Sequence, residues 1–548
     1  MQDRGPEPPA PDAPAPAPAW AEPVPASPWG PDQVPDLVLM AGQSNMRGYK
    51  VAPGPLQVAA AEALGDAVHI LCGDSWQPLR HGAGYQHRGF GPEMGFAAEW
   101  IARTGRPLAI VKVAQNATWL ERQWHPSRPD ALFRMLVDRA RLAMASHQVR
   151  LAGLLWMQGE ADALTPEAAG AYDANFTALV DRLRLELGAP DLPVMAGLPN
   201  PDPAEFPHLD QVRTALRDCP RAHVHVVDTE GLTRKPDRLH YDGPALDELG
   251  RRFARTMAEN PPPRPPAIRR WLWCDDRYHC WSEFETTAPA EVMVSLPHAV
   301  ADSGFDEPAF AQSFLRKNAI SAIYVRMGKS NWFQDDRIFP LAERIRAHAG
   351  TASVAVYGAS MGGYGALLLS GALRADTVIS VAPQYSIDRG MVPFETRWRK
   401  AAGRIGPFLH QLAPNLSPDA AISVLYDPRS RDRQQVELLP QAGNIRLIPI
   451  PHASHQVLQR LLEGRALPLL VENAFARGPS AARIIAAARD TRRDSKTYWM
   501  TLADAASARR PALALRALAR ALDCGGPPRK IRRMREAIQK AHPDLTPE

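Results

Sequence analysis

Residues 36–46 read DLVLMAGQSNM, and this stretch decides how the first part of the chain folds. The apolar run predicts a buried strand, and the small residues Ala41 and Gly42 predict a tight turn directly after it. Ser44 follows at the predicted start of a helix, where unpaired backbone N–H groups favour negative charge. The stretch therefore predicts a strand–turn–helix unit with a serine hydroxyl at its turn.

Apolar runs of the same kind alternate with helical patterns C-terminal to this unit. Strands are predicted at PLAIVKVA, LAGLLWMQG, LPVMAGL and HVHVVD, with helices such as GPEMGFAAEWIART and AYDANFTALVDRLRLEL between them. This alternation is typical of a parallel sheet covered by helices on both faces. We therefore predict a three-layer α/β/α domain over residues 36–259.

A second alternating block follows the Pro-rich residues 260–267, which are predicted to be a linker. Its strands are predicted at AEVMVSLP, ISAIYVRM, ASVAVYGAS, DTVISVAP, AAISVLYD and NIRLIPIP. Residues 268–477 are thus expected to form a second three-layer α/β/α domain with a parallel sheet. Residues 1–35 predict a disordered Pro/Ala-rich tail, and residues 478–548 a small helical appendage.

The composition argues against three classes of protein: disordered, nucleic-acid-binding and membrane-spanning. The chain has 548 residues, of which 45% are hydrophobic and 22% charged, so extensive disorder is excluded. A net charge of +5 on so long a chain argues against a nucleic-acid partner. No apolar stretch is long enough for a membrane span. The start of the chain lacks a signal-peptide pattern and the five cysteines are scattered, so a cytoplasmic protein without a disulfide framework is expected.

Three separated segments carry polar residues that together fit acyl-transfer chemistry. Ser44, taken alone, is better explained as a helix N-cap than as a nucleophile. The segment WMQGEAD (residues 156–162) places polar side chains at the carboxyl end of a predicted strand. In DRLH (residues 237–240), Asp237 precedes His240 by three residues, so its carboxylate can hold one ring nitrogen and leave the other facing a serine.

The motifs GQSNM, GPE, WMQGEAD and DRLH, in this order, resemble the sialate O-acetylesterase domain family of carbohydrate esterases, within the SGNH hydrolase group. The resemblance implies that Ser44 is the nucleophile, His240 the general base and Asp237 its orienting partner. It also implies an oxyanion hole formed by the Gln158 side chain and the N–H groups of Gly91 and Ser44.

One departure from the family concerns the substrate cleft. Family members often have a Gly-Gly pair followed by a Trp-bearing loop, whereas this chain has AQNATW at residues 114–119. The resemblance implies that Gln115, Asn116 and Trp119 line the cleft. The Trp119 ring is suited either to stacking on a sugar or to ordinary packing.

A second candidate site lies in the other block. Residues 356–365, VYGASMGGYG, match the G-x-S-x-G nucleophile elbow of α/β-hydrolases and resemble the esterases of that superfamily. Ser360 is then the nucleophile, and the Met361 N–H supplies half of the oxyanion hole. The acid is Asp432 or, alternatively, Asp427.

The histidine of this second site follows the strand NIRLIPIP, where His452 and His455 both occur. We prefer His455 because a helical run begins directly after it. The chain order Ser, Asp, His is the one that this fold requires. The same residues would also be present in a hydrolase fold that is kept only as a scaffold.

The function predicted from these sites is a carbohydrate O-acetylesterase that hydrolyses acetyl esters on sugars by a Ser-His-Asp mechanism. It is fused to a second serine esterase, and its expected partner is an acetylated carbohydrate. No P-loop, dinucleotide fingerprint or metal-ligand cluster is present, so no cofactor and no metal are expected. Two alternatives stay open: acetyl transfer between glycans, and a glycan-binding or polysaccharide assembly factor with an inactive hydrolase fold.

Overall fold

The structure, a computed structural model, describes residues 24–52, 54–83, 89–129, 131–262, 264–299, 304–472, 474–475 and 478–543. Within these residues the strands are β1 (Asp36–Gly42), β2 (Val68–Cys72), β3 (Ser75–Pro78), β4 (Leu108–Ala114), β5 (Val149–Met157), β6 (Val194–Gly197), β7 (Val224–Val227), β8 (Ile268–Cys274), β9 (Tyr278–Phe284), β10 (Glu291–Leu296), β11 (Ala322–Met327), β12 (Ser353–Ala359), β13 (Thr377–Val381), β14 (Ala421–Tyr426) and β15 (Ile445–Pro449).

The α-helices are α1 (Ser44–Arg47), α2 (Pro55–Leu64), α3 (Glu93–Thr104), α4 (Leu132–Ser146), α5 (Pro166–Glu186), α6 (Leu209–Arg217), α7 (Gly243–Glu259), α8 (Gln312–Lys317), α9 (Ile338–Ala349), α10 (Met361–Leu368), α11 (Arg399–Ile405), α12 (Asp432–Val436), α13 (Val457–Glu463), α14 (Pro468–Val471), α15 (Ala481–Asp490), α16 (Lys496–Ala506), α17 (Pro511–Asp523) and α18 (Pro528–Ala541). No helix among the described residues is both long and apolar enough to cross a membrane.

The strands form a single mixed sheet rather than the two separate sheets that the sequence predicts. Its order is β15-β14-β13-β12-β10-β11-β9-β8-β5-β1-β4-β2-β3, with β6 and β7 continuing from β5. The junction is the antiparallel pairing of β5 with β8, in which Val149 faces Arg269 and Arg150 faces Ile268. The predicted linker therefore leads straight into a strand that hydrogen-bonds to the first half.

Buried ion pairs reinforce this junction. Arg269 and Glu283 lie 3.0 Å apart with side chains only 5% and 3% exposed. Arg316 adds a second cation to Glu283 at 3.1 Å, and Arg269 also donates to the backbone oxygens of Leu187 and Gly188. Buried charges are tolerated only when they are paired and hydrogen-bonded in this way. The two halves are thus packed through specific polar contacts as well as through strand pairing.

The directions of the strands place the two predicted sites on opposite edges of the sheet, where an edge is the row of strand ends and not an outermost strand. β1 is parallel to β5, β5 is antiparallel to β8, and β8 is antiparallel to β9. β9 is antiparallel to β11, which runs parallel to β10 and β12. β12 therefore runs opposite to β1, and the carboxyl ends that precede Ser360 and Ser44 point in opposite directions.

Part of the predicted N-terminal tail is ordered against the first half. Residues 1–23 of that tail lie outside the described residues, but residues 24–35 pack on the domain. Trp29 is buried, with its ring 4.9 Å from the Trp76 ring, and the Ser27 hydroxyl lies 2.9 Å from His147 Nδ1. The prediction of disorder was wrong for this part because one tryptophan anchors a segment whose Pro/Ala composition is otherwise that of a linker.

Candidate active sites

The first site is built where three neighbouring strands end. β1 lies between β4 and β5, parallel to both, so the segments that follow these strands meet at one edge. Ser44 begins α1 two residues after β1. Gln115 follows β4, and its N–H donates to the Gly42 oxygen. Gln158 follows β5.

Asn45 joins the serine segment to the two other predicted motifs. Its Nδ2 donates to Glu160 Oε1 at 2.8 Å and to the Leu239 oxygen at 3.2 Å. Its Oδ1 accepts from the Tyr241 N–H at 3.1 Å. The side chain next to Ser44 therefore bonds to the residues on both sides of His240, and thereby fixes the histidine backbone beside the serine.

His240 and Asp237 form the predicted imidazole–carboxylate pair. His240 Nδ1 lies 2.9 Å from Asp237 Oδ2, and the N–H groups of His240 and Leu239 donate to Oδ1. Desolvation acts to raise the pKa of Asp237, but these hydrogen bonds outweigh it and lower the pKa to about 2. The Tyr49 ring covers the imidazole at 4.4 Å. Asp237 is thus held as an acceptor for the ring proton.

The hydrogen bond between the serine hydroxyl and the histidine ring, which a catalytic triad needs, is missing at this site among the described residues. Ser44 is only 3% exposed, and within the described part of the chain no hydrogen bond joins its hydroxyl to His240. Catalytic hydrogen bonds are often long without substrate and shorten in the reactive complex. The structure therefore brings Ser44, His240 and Asp237 into one site without completing the chain of contacts between them.

Gln158 does not fit the oxyanion role that the resemblance implies. It is fully buried, and its Nε2 donates to the Thr118 oxygen at 2.7 Å and to Asp162 Oδ2 at 2.5 Å. Its Oε1 accepts from the Tyr172 hydroxyl at 3.0 Å. Because the amide protons are used inside the protein, Gln158 supports the loop after β5 instead of facing the nucleophile.

Gly91 does not fit that role either. Its N–H donates to Glu93 Oε1 at 2.9 Å, and Glu93 in turn pairs with the buried Lys112 at 2.6 Å. A Cβ at Gly91 would lie 2.3 Å from the Met46 oxygen, so the glycine allows close packing behind α1. The residue is needed for packing, and its N–H is already occupied.

The loop after β4 carries a side-chain amide, that of Asn116, at the same level as Ser44. Gly42 and Ala114 are register partners, so Asn116 stands two residues beyond β4 as Ser44 stands two residues beyond β1. The Asn116 Oδ1 is buried and has no hydrogen-bond partner. Because an amide oxygen only accepts, the Nδ2 group is the part of this side chain that can donate to an oxyanion. Gln115 is exposed beside it, and Trp119 is half-buried with the Arg122 guanidinium 4.9 Å from its ring. Sequence reasoning assigned Asn116 only to the cleft and overlooked Asn45, although Asn45 lies within the GQSNM motif.

The second site is built on a strained turn between β12 and α10. Ser360 has φ 55° and ψ −118°, a conformation that non-glycine residues adopt only when the surrounding structure enforces it. A Cβ at Gly358 would lie 2.1 Å from the Gly362 oxygen, so the turn requires glycine there. The hydroxyl is thus projected from the end of the strand, and Met361 begins the helix with an N–H that has no intrahelical acceptor.

Ser360, His455 and Asp432 form a closed hydrogen-bonded chain. Ser360 Oγ lies 2.9 Å from His455 Nε2, and His455 Nδ1 lies 2.9 Å from Asp432 Oδ2. The Asp432 side chain is fully buried and also accepts from Arg397 at 2.7 Å. The spacing is that of an activated serine nucleophile with its base and orienting acid.

Asp427 and His452, the other residues considered for this site, have different roles. Asp427 Oδ2 accepts from the N–H groups of Ala453 at 2.9 Å and Ser454 at 2.7 Å, directly before His455. His452 contacts Arg429 and the Tyr498 ring. Asp427 therefore shapes the loop that carries His455, and Asp432 is the carboxylate that reaches the imidazole.

A comparison with known protein families finds a match in the first half of the chain. Residues 34–259 match the model of the family described as carbohydrate esterase, sialic acid-specific acetylesterase. A probable carbohydrate esterase of Arabidopsis thaliana is 28% identical over 175 residues, which are 31% of this chain and 65% of that protein. This chain thus spans slightly less than two thirds of that relative.

Solved structures show the same type of likeness. A structure of an Arabidopsis thaliana protein has 25% sequence identity and a TM-score of 0.37, and the match covers 41% of this chain and 99% of that one. A carbohydrate acetylesterase from Xanthomonas citri has 17% identity and a TM-score of 0.35, and the match covers 45% and 62% of the two chains. By the family model, residues 34–259 match the carbohydrate acetylesterases.

Proposed function

We propose that the chain is a carbohydrate O-acetylesterase whose first site hydrolyses acetyl esters on sugars. The observation that carries this proposal is the Asn45 side chain, which ties the serine, the Glu160 loop and the histidine loop together inside the segment that matches the esterase family. Three segments distant in sequence thereby meet at the residue next to Ser44.

The proposed reaction is acyl transfer to water. Ser44 Oγ attacks the acetyl carbonyl as its proton moves to His240 Nε2, and Asp237 stabilises the imidazolium through Nδ1. The oxyanion is stabilised by the Ser44 N–H and the Asn116 side-chain amide, in place of Gln158 and Gly91. The carbon–oxygen bond to the sugar breaks, and the sugar oxygen takes the proton from His240. Water then attacks acetyl-Ser44 with His240 as base and releases acetate.

We further propose a second serine esterase at Ser360, and the closed chain from Ser360 through His455 to Asp432 favours it. Since the two serines lie on opposite edges of the sheet, an acyl group is not handed directly from one to the other. The two sites therefore work independently, on separate ester substrates.

The test is acetate release from p-nitrophenyl acetate and from O-acetylated sugars, for the wild-type protein, Ser44→Ala, Ser360→Ala and the double variant. Loss of sugar deacetylation in Ser44→Ala, with full retention in Ser360→Ala, is the expected result. Loss in Ser360→Ala alone would move the function to the second site. Acetylated acceptor sugar in place of free acetate would indicate transfer, and glycan binding without turnover would indicate the assembly factor.

A further inference from the structure

One polar side chain touches the reacting atoms of the second site without belonging to the Ser-His-Asp set. Gln384 lies in the segment after β13 and is fully buried. Its Nε2 is 3.3 Å from Ser360 Oγ and 3.4 Å from His455 Nε2, and its Oε1 is 3.4 Å from Ser360 Oγ. A buried amide so close to Ser360 Oγ and His455 Nε2 either donates to them through its NH₂ group or accepts from the hydroxyl through its oxygen. Which of the two occurs depends on the orientation of the amide.

Two neighbours fix the orientation of the amide. Trp332 Nε1, which can only donate, lies 3.3 Å from Oε1, so the oxygen must face the indole. The Ala382 oxygen, which can only accept, lies 3.3 Å from Nε2, so the NH₂ group must face that side. Because both neighbours require the same orientation, the amide protons of Gln384 are the end presented to Ser360 and His455.

The fixed amide also selects the orientation of the serine hydroxyl. A hydroxyl has one proton and two lone pairs, and an N–H directed at Ser360 Oγ occupies a lone pair. Two acceptors are within reach of the hydroxyl proton, and His455 Nε2 at 2.9 Å is nearer than Gln384 Oε1 at 3.4 Å. The proton therefore points to the imidazole, which is the productive direction for proton transfer. As that proton moves to the imidazole, negative charge grows on Oγ, and the amide N–H stabilises it.

We propose that Gln384 is a positioning residue of the second site, whose Trp332-anchored amide holds the Ser360 hydroxyl in its reactive orientation. The inference rests on the proposed esterase activity at Ser360. No bond forms to Gln384 and no proton leaves it. The charged groups that face His455 from the packed elements are Asp432 on Nδ1 and, through Asp432, Arg397, so a new charge at position 384 would act directly on the imidazole.

The experiment uses the full chain with Ser44→Ala as background, so that only the second site can react. Gln384→Met removes the amide while keeping the length of the side chain, and Gln384→Glu replaces it with a carboxylate beside His455. Gln411→Glu is the control for the added charge, because within the described residues the Gln411 side chain donates to the Phe408 oxygen and has no hydrogen bond to Trp332, Ser360 or His455.

Two quantities are measured: the pH dependence of kcat and KM on p-nitrophenyl acetate, and the rate at which a fluorophosphonate probe labels Ser360. Gln384→Met is expected to lower kcat and the labelling rate about tenfold with little change in KM, as the loss of one polar contact to a reacting atom does. Gln384→Glu is expected to lower both further and to move the acid limb of the profile about one pH unit upward, because a nearby carboxylate favours the protonated imidazole. Gln411→Glu keeps the wild-type profile.

The outcomes separate the inference from the activity on which it rests. If the probe does not label Ser360 in the Ser44→Ala protein, the second esterase itself is refuted, and the role of Gln384 with it. If Ser360 is labelled and both Gln384 variants keep the parent rate and pH profile, only the role of Gln384 is refuted. Should Gln384→Glu fail to fold, the kcat of Gln384→Met decides, since an unchanged value would overturn the proposal.

Discussion

At Ser360 the hydroxyl, the imidazole and the carboxylate are already hydrogen-bonded, with 2.9 Å at each step, whereas at Ser44 only the imidazole and the carboxylate are paired. The acids differ as well. The Asp432 side chain is fully buried and also bound by Arg397, but the Asp237 side chain is 43% exposed and lies three residues from its histidine. A serine, a histidine and an aspartate can thus be brought together in two ways. At the second site the acid is buried in the core, whereas at the first site acid and histidine share a short surface loop that is hydrogen-bonded to Asn45.

The largest expected effect comes from replacing the two acids. Asp432→Asn should lower second-site turnover about 10³–10⁴-fold, because the imidazole loses its orienting carboxylate in a buried, low-dielectric environment. Asp237→Asn should lower first-site turnover less, about 10²-fold, since water screens the exposed acid. Kinetics on p-nitrophenyl acetate in Ser44→Ala and Ser360→Ala backgrounds measure each site separately. Equal losses would show that burial does not distinguish the two acids.

The free energy of unfolding should depend on pH because of one buried carboxyl group in the first half of the chain, that of Asp162. Burial raises the pKa of Asp162 from its ordinary value of 3.8 to about 6. Because the folded state holds this proton more tightly than the unfolded state, the free energy of unfolding should fall by about 3 kcal/mol as pH rises from about 4 to 6. Urea unfolding at several pH values measures it, and Asp162→Asn should flatten the slope. The exposed Asp210→Asn should leave it unchanged, and a slope that persists in Asp162→Asn would refute the assignment.

Asn45→Ala tests whether the hydrogen bonds of Asn45 hold the histidine loop of the first site in place. Losing the bonds to Glu160, Leu239 and Tyr241 should free the histidine loop and lower first-site kcat/KM about 30-fold, since a displacement near 1 Å is costly for a catalytic group. Second-site turnover should not change. Asn260→Ala, which removes a single side-chain bond to the Thr256 oxygen, is the control. An unaffected first site would mean that the loop is held by other contacts.

The smallest effect is expected at the loop of the second histidine. Asp427→Ala removes the carboxylate that accepts from Ala453 and Ser454, so His455 should be held less firmly and second-site kcat should fall about tenfold. First-site kinetics should stay as in the wild type, and the exposed Asp419→Ala should have no effect on either site. A loss as large as that of Asp432→Asn would instead make Asp427 the principal acid.

Much of each site was accessible to sequence reasoning because its parts lie in short local motifs. Asp237 and His240 are separated by three residues, and the strained turn at Ser360 needs the glycine that G-x-S-x-G provides. The donors that we propose for the first oxyanion hole were not accessible in this way. Whether an amide such as Gln158 is free or occupied depends on neighbours, here Thr118 and Asp162, that the motif does not specify.

Local patterns in the sequence were enough to predict the alternation of strands and helices, the two serines at strand ends and the Asp237–His240 pair, because periodicity and tight turns are local properties of the chain. For the second site they left the acid open between Asp432 and Asp427. The three-dimensional packing alone shows that β5 and β8 join the two halves in one sheet and that the serines lie on opposite edges. It also shows that Asn45 bonds to the residues on either side of His240 and that the Gln384 amide lies within 3.4 Å of Ser360 and His455. Strand pairing across the junction and the filling of hydrogen bonds inside a core are contacts between residues far apart in sequence, and no local pattern encodes them.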